Sequence, residues 1–93
     1  MSPKSSNRAT KTPNPRVAFG AVLRSLRERA SYSQDSFAHF TGYHRNYIGQ
    51  LERGEKSPSL TAIFNLSKAF NLRPSRLLEL VERELFPKIY PTD

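Results

Sequence analysis

A chain of 93 residues is expected to form one small domain, since single cores keep growing up to about 250 residues. Hydrophobic residues at 37% and charged residues at 25% support a modest core, and the absence of cysteine excludes disulfide frameworks, thiolate zinc sites and cysteine catalysis. Lys and Arg outnumber Asp and Glu by 15 to 8, a net charge of +7 that marks a polyanion binder.

That charge is uneven. Residues 1–76 hold thirteen bases and four acids, whereas residues 77–93 hold two bases and four acids, so the C-terminal end is not built to approach phosphate. No run reaches the roughly 18 apolar residues of a membrane span, and the first fifteen residues lack the apolar stretch of a signal peptide. A soluble cytoplasmic protein with no membrane partner is expected.

Residues 1–16 (MSPKSSNRATKTPNPR) combine Pro, Ser, Thr and Asn with four bases, Lys4, Arg8, Lys11 and Arg16. With no large apolar residue after Met1, this stretch reads as a disordered basic arm. From Val17 the pattern changes: Phe19, Val22, Leu23, Leu26 and Ala30 follow helical spacing, which predicts a first helix over 17–30. Ser33 reads as an N-cap, with Asp35 in the first turn of a short second helix carrying Phe37, Ala38 and Thr41. Gly42 stops that helix by supplying a left-handed backbone. Helical spacing resumes over 45–53, with Ile48 and Leu51 facing in, and Gly54 closes it. Ser59 is the expected N-cap of a fourth helix bearing Leu60, Ile63, Phe64, Ser67 and Phe70. Pro74, suited to a first helical position, opens a fifth with Leu77, Leu78, Val81 and Leu85, and Pro87 ends it. No stretch alternates with period two, so the expected fold is all-α: a folded unit over 17–86 followed by a tail, 87–93.

Two short helices joined at Gly42, the second polar and Arg-bearing on its outer face, form a helix-turn-helix pattern. The stretch from Leu23 to Leu80 resembles the lambda-repressor-like, XRE-type helix-turn-helix family. The resemblance rests on Ser33-Gln34, Ala38 and Gly42 at the turn, Tyr47-Ile48, Leu51-Glu52-Arg53-Gly54, and the Pro58-Ser59-Leu60 entry to helix four. It implies a compact five-helix DNA-binding domain whose recognition helix, 45–53, enters the major groove. By that resemblance His44, Arg45, Asn46 and Gln50 face bases, Arg45 suiting guanine and Asn46 and Gln50 suiting adenine. Ser33, Gln34, Arg53, Lys56 and Ser57 fall at positions that meet the DNA backbone. Arg27 and Glu52 occupy positions where the family holds an inward ion pair. The sequence departs from the family at Gly49, Tyr43, Phe40 and His44. Gly49 marks either a close approach of DNA or a tolerant site.

The ordinary alternative for Arg45, Asn46 and Gln50 is a solvated helix face. His39 and His44 lack the companions of a metal site, no His–acid pair accompanies a serine, and no glycine-rich phosphate loop is present, so neither metal, cofactor, small-molecule ligand nor catalysis is expected. The resemblance extends to stand-alone phage repressors and to controller proteins of restriction–modification systems, and implies a homodimeric transcriptional regulator on a partly palindromic double-stranded operator. The acidic C-terminal end, with Leu77, Leu80, Val81 and Phe86, and with Ile89 and Tyr90 beyond them, is the expected pairing surface. The alternative is an antitoxin-like module that sequesters a partner protein.

Overall fold

Four of the five helices start at a residue chemically suited to the task. In the computed structural model, which describes residues 14–87, the elements are α1 (Pro15–Arg29), α2 (Gln34–Thr41), α3 (Arg45–Glu52), α4 (Leu60–Ala69) and α5 (Pro74–Leu85). Asn14 caps α1 by accepting from the Arg16 amide at 3.0 Å, with Pro15 in the first turn. Ser33 and Ser36 form a reciprocal capping box on α2, Ser59 accepts from the Ala62 amide on α4, and Pro74 opens α5.

The start of α1 corrects the expected arm. Composition makes residues 14–16 part of an unstructured arm, but Asn14 and Pro15 are a cap and a first-turn residue, so Arg16 lies on the helix with its side chain exposed. Lys4, Arg8 and Lys11 lie outside the described residues, as do Ile89 and Tyr90.

No strand occurs among the described residues; the fold is all-α. Helix α1 packs against α3 and α5, α2 against α3 and α4, and α4 against α5. Phe19, Leu23, Phe37, Ile48, Leu51, Leu66 and Leu77 make the centre of the core, with Phe37 stacked on Phe70 at 5.1 Å between ring centroids. Gly20 makes the α1–α3 contact possible. A Cβ there would lie 2.4 Å from the Leu51 carbonyl oxygen and 2.6 Å from that of Glu52, so the end of α3 rests directly on the backbone of α1. Gly42 (φ 82°) and Gly54 (φ 73°) provide the left-handed residues after α2 and α3.

Two apolar stripes face differently from a simple reading. On α5, Leu77 and Val81 are buried, which removes them from the expected pairing surface. They are spaced i, i+4 and turn into the seam with α1 and α4. Leu80 is half-buried, while Leu78 and Phe86 are exposed. On α4 the inward residues are Ala62, Leu66 and Ser67, leaving Leu60 at 70% and Phe64 at 55% exposed.

Candidate nucleic-acid interface

The outer face of α3 is defined by what its inner face holds. Ile48 and Leu51 are fully buried, and Glu52 reaches inward to Arg27 of α1. Arg27 donates from Nε and Nη2 to the two Glu52 oxygens and from Nη1 to the Tyr32 carbonyl at 2.8 Å. The bidentate hydrogen bond with Glu52 outweighs desolvation and raises the Arg27 pKa above its ordinary value. Gln34, first residue of α2, donates from Nε2 to Glu52 Oε1 at 2.9 Å. One carboxylate therefore fastens α1, α2 and α3 together.

Tyr43 fastens the turn between α2 and α3. Its ring lies 5.2 Å from that of Tyr47, and its hydroxyl accepts a hydrogen bond from Asn65 of α4 at 3.0 Å. Tyr47 is half-buried, and burial pushes its phenol pKa up. His44 is the N-cap residue of α3 but makes no side-chain capping bond, so its exposed imidazole is free for other contacts.

Arg45, Asn46, Gly49, Gln50 and Arg53 share the remaining face at three- and four-residue spacing. The Asn46 and Gln50 side chains have no hydrogen-bond partner among the described residues, and nor have those of Lys56 and Ser57 on the following loop. Arg45 Nε pairs with Asp35 Oδ1 at 2.9 Å across to α2. Arg53 is held more completely, donating from Nε to Glu55 Oε2 at 2.7 Å and from Nη2 to Oε1 at 3.3 Å. That contact raises the Arg53 pKa and lowers that of Glu55. Both pairs are exposed; the Arg45–Asp35 contact is a single close approach, whereas the Arg53–Glu55 contact is a two-point hydrogen bond that orients the guanidinium.

The structure thus brings Arg45, Asn46 and Gln50 onto one helix with His44 and Arg53 as its two cap residues, and Lys56 and Ser57 on the loop after it. Ser33 and Gln34 are already engaged, the first as a cap and the second on Glu52. Sequence reasoning missed Asp35 and Glu55 as partners of the arginines, Asn65 as the anchor of Tyr43, and Gly20 beneath α3. Gly20 did leave a signal: a glycine inside an apolar helical stripe costs about 1 kcal/mol of propensity and asks for a packing reason.

Comparisons with known proteins agree with this geometry. The family model described as helix-turn-helix matches residues 23–77. Control protein C.BamHI of Bacillus amyloliquefaciens is 38% identical over 69 residues, 73% of this chain and 85% of that protein. Control protein C.SmaI of Serratia marcescens is 39% identical over 56 residues, 60% of this chain and 67% of that protein. Among solved structures, the restriction-modification controller protein C.AhdI from Aeromonas hydrophila superposes with a TM-score of 0.63 at 39% identity, over 67% of this chain and 94% of that one. A match over more than half of the chain, on the residues that build the α2–turn–α3 unit, leads to one conclusion: this chain belongs to the XRE-type helix-turn-helix family of DNA-binding transcriptional regulators, not to a family of enzymes.

Proposed function

We propose that the protein is a sequence-specific regulator that binds a partly palindromic double-stranded operator as a homodimer, with α3 in the major groove. The observation that carries this reading is the outer face of α3. Asn46 and Gln50 present amides without a partner among the described residues, and Arg45 presents an exposed guanidinium paired with Asp35, on a helix clamped from behind by Ile48, Leu51 and Glu52. Amides in that state pair bidentately with adenine and a guanidinium end with guanine, and His44 adds a donor or acceptor at the helix start. Lys56 and Ser57 reach the flanking phosphates. Ser33 and Gln34 contribute chiefly by presenting the N-terminal amides of α2 to a phosphate, because their side chains are bound within the fold.

One such unit reads only a few base pairs, and a twofold pair of them multiplies specificity. The exposed apolar residues Leu60, Phe64, Leu78 and Phe86, with half-buried Leu80, support a pairing surface on α4 and α5. Recognition helices in such a dimer stand about 34 Å apart on one face of the duplex. Similarity to restriction-modification controller proteins makes the promoter of such an operon the first place to look for the site.

Selection of bound sequences from a random duplex pool tests the proposal. It is expected to return two related half-sites in inverted orientation, with sedimentation showing two protomers bound. A pool that returns no enriched sequence would refute it, and a tight complex with a neighbouring gene's product in place of DNA would favour a sequestering module.

A further inference from the structure

Gly49 is an odd residue for the middle of a recognition helix, where every residue but proline would support helix formation better. Its surroundings explain it. A Cβ at Gly49 would lie 2.9 Å from Arg53 Nη1, and the next nearest atoms, at 3.7 Å, are Arg53 Cζ and Nη2. Long side chains on a helix run back toward its N-terminus, and Arg53 sits one turn after Gly49. Its guanidinium therefore lies across Gly49, level with the middle of α3 instead of at the helix end where the chain leaves for the loop. Glu55 fixes it there through Nε and Nη2. The end of the guanidinium, Nη1 and the second hydrogen of Nη2, is left for an acceptor pair.

Two independent features, an absent side chain and a bidentate carboxylate, thus converge on one arginine. We infer that Arg53 is a further specificity-determining residue, reading a guanine from a guanidinium seated on Gly49 and buttressed by Glu55, both of which act as positioning residues. This rests on α3 being the helix that enters the groove. It differs from a phosphate role for Arg53, because a phosphate contact tolerates a mobile guanidinium whereas end-on pairing with guanine O6 and N7 does not. Glu55 adds a penalty on arbitrary DNA, since its charge repels phosphate unless the paired guanidinium finds its acceptors.

The test measures affinity of full-length Gly49→Ala, Glu55→Gln, Arg53→Ala and the double variant Gly49→Ala/Arg53→Ala on the selected operator, on its single base-pair variants and on an unrelated duplex, with a thermal melt of each. Gly49→Ala is expected to melt at or above wild type, because only the far end of a flexible side chain must move, yet to lose about fivefold or more in operator affinity. A loss that came from unfolding would lower the melt as well. Arg53→Ala should lose about tenfold or more and flatten preference at one base pair, and adding Gly49→Ala to it should cost nothing further. Glu55→Gln should narrow the ratio of operator to unrelated-duplex affinity. The inference is overturned if Gly49→Ala weakens binding equally with Arg53 already removed, which would mean that DNA itself touches Gly49. It is also overturned if Arg53→Ala weakens all duplexes evenly, which would make Arg53 a backbone contact. Arg45→Ala run alongside separates the two levels of argument: if it relaxes base preference while Arg53→Ala does not, only the role of Arg53 is wrong; if neither does, the placement of α3 is wrong as well.

Discussion

Removing the Arg27 side chain should come close to unfolding the domain. The Arg27 and Glu52 side chains are 9% and 4% exposed, so neither charge can readily recover its lost partner from bulk water. In Arg27→Ala the Glu52 carboxylate keeps a single donor, the Gln34 amide, and the Tyr32 carbonyl loses the donor from Nη1. Stranding one charge of a buried pair costs about 3–5 kcal/mol, against a total stability of about 5–15 kcal/mol for a small domain. At roughly 4–8 °C per kcal/mol for a domain of this size, the melting temperature should fall by about 12–40 °C. Because the penalty comes from the stranded charge, replacing both partners with apolar residues of similar volume, Arg27→Met with Glu52→Leu, should cost far less than the two single changes added together. Circular dichroism melts and urea titrations of wild type, Arg27→Met, Glu52→Leu and the double variant measure the cycle directly, with Arg27→Ala alongside. An Arg27→Ala melt within a degree of wild type, or a double variant whose loss equals the sum of the singles, would show that this carboxylate does not fasten the three helices.

Gly20→Ala should destabilise the protein by about 1–3 kcal/mol despite its better helix propensity, because the added carbon meets backbone carbonyl oxygens that cannot rotate away; a melt at or above wild type would contradict the close contact of α1 and α3. Ser31 holds a left-handed conformation (φ 66°) at the end of α1, so Ser31→Gly should stabilise by about 0.5–1 kcal/mol in urea titration, and a loss would mean that the serine hydroxyl matters more than its backbone. Phe64→Glu, on an exposed position of α4, should leave the melt of the monomer unchanged while sedimentation shows dissociation and operator affinity drops; an intact dimer would exclude that face as the pairing surface.

What the sequence revealed follows from how local each cause is. Ser33 and Ser59 announce helix starts by their side-chain oxygens, Gly42 and Pro74 a helix end and a start by their backbone chemistry, and each falls where that chemistry puts it. Asn14 and Pro15 carry the same kind of information, but inside a polar, basic stretch composition masked it, and α1 starts earlier than its apolar spacing suggests. Facing was harder where apolar residues crowd. Leu77, Leu78, Leu80 and Val81 leave several stripes open on α5, and only the packing of α1 and α4 selects Leu77 and Val81 as the buried pair. Leu60 and Phe64 are spaced as core residues would be, yet it is Ala62, Leu66 and Ser67 that face inward on α4. On α3 the identity of the outward polar residues could be read from spacing. The seats of Arg45 on Asp35 and of Arg53 on Gly49 and Glu55 depend on side-chain direction and on the path of the chain after Gly54, which spacing does not encode.

The most direct test of the central claim, that α3 reads base sequence, compares wild type with Arg45→Ala on the selected operator and on each of its single base-pair variants. Wild type should lose about 1–3 kcal/mol at each contacted position, and Arg45→Ala should erase that loss at one G·C pair per half-site while keeping it elsewhere. A variant that binds every duplex more weakly by one common factor, with the wild-type pattern of preference intact, would contradict the account.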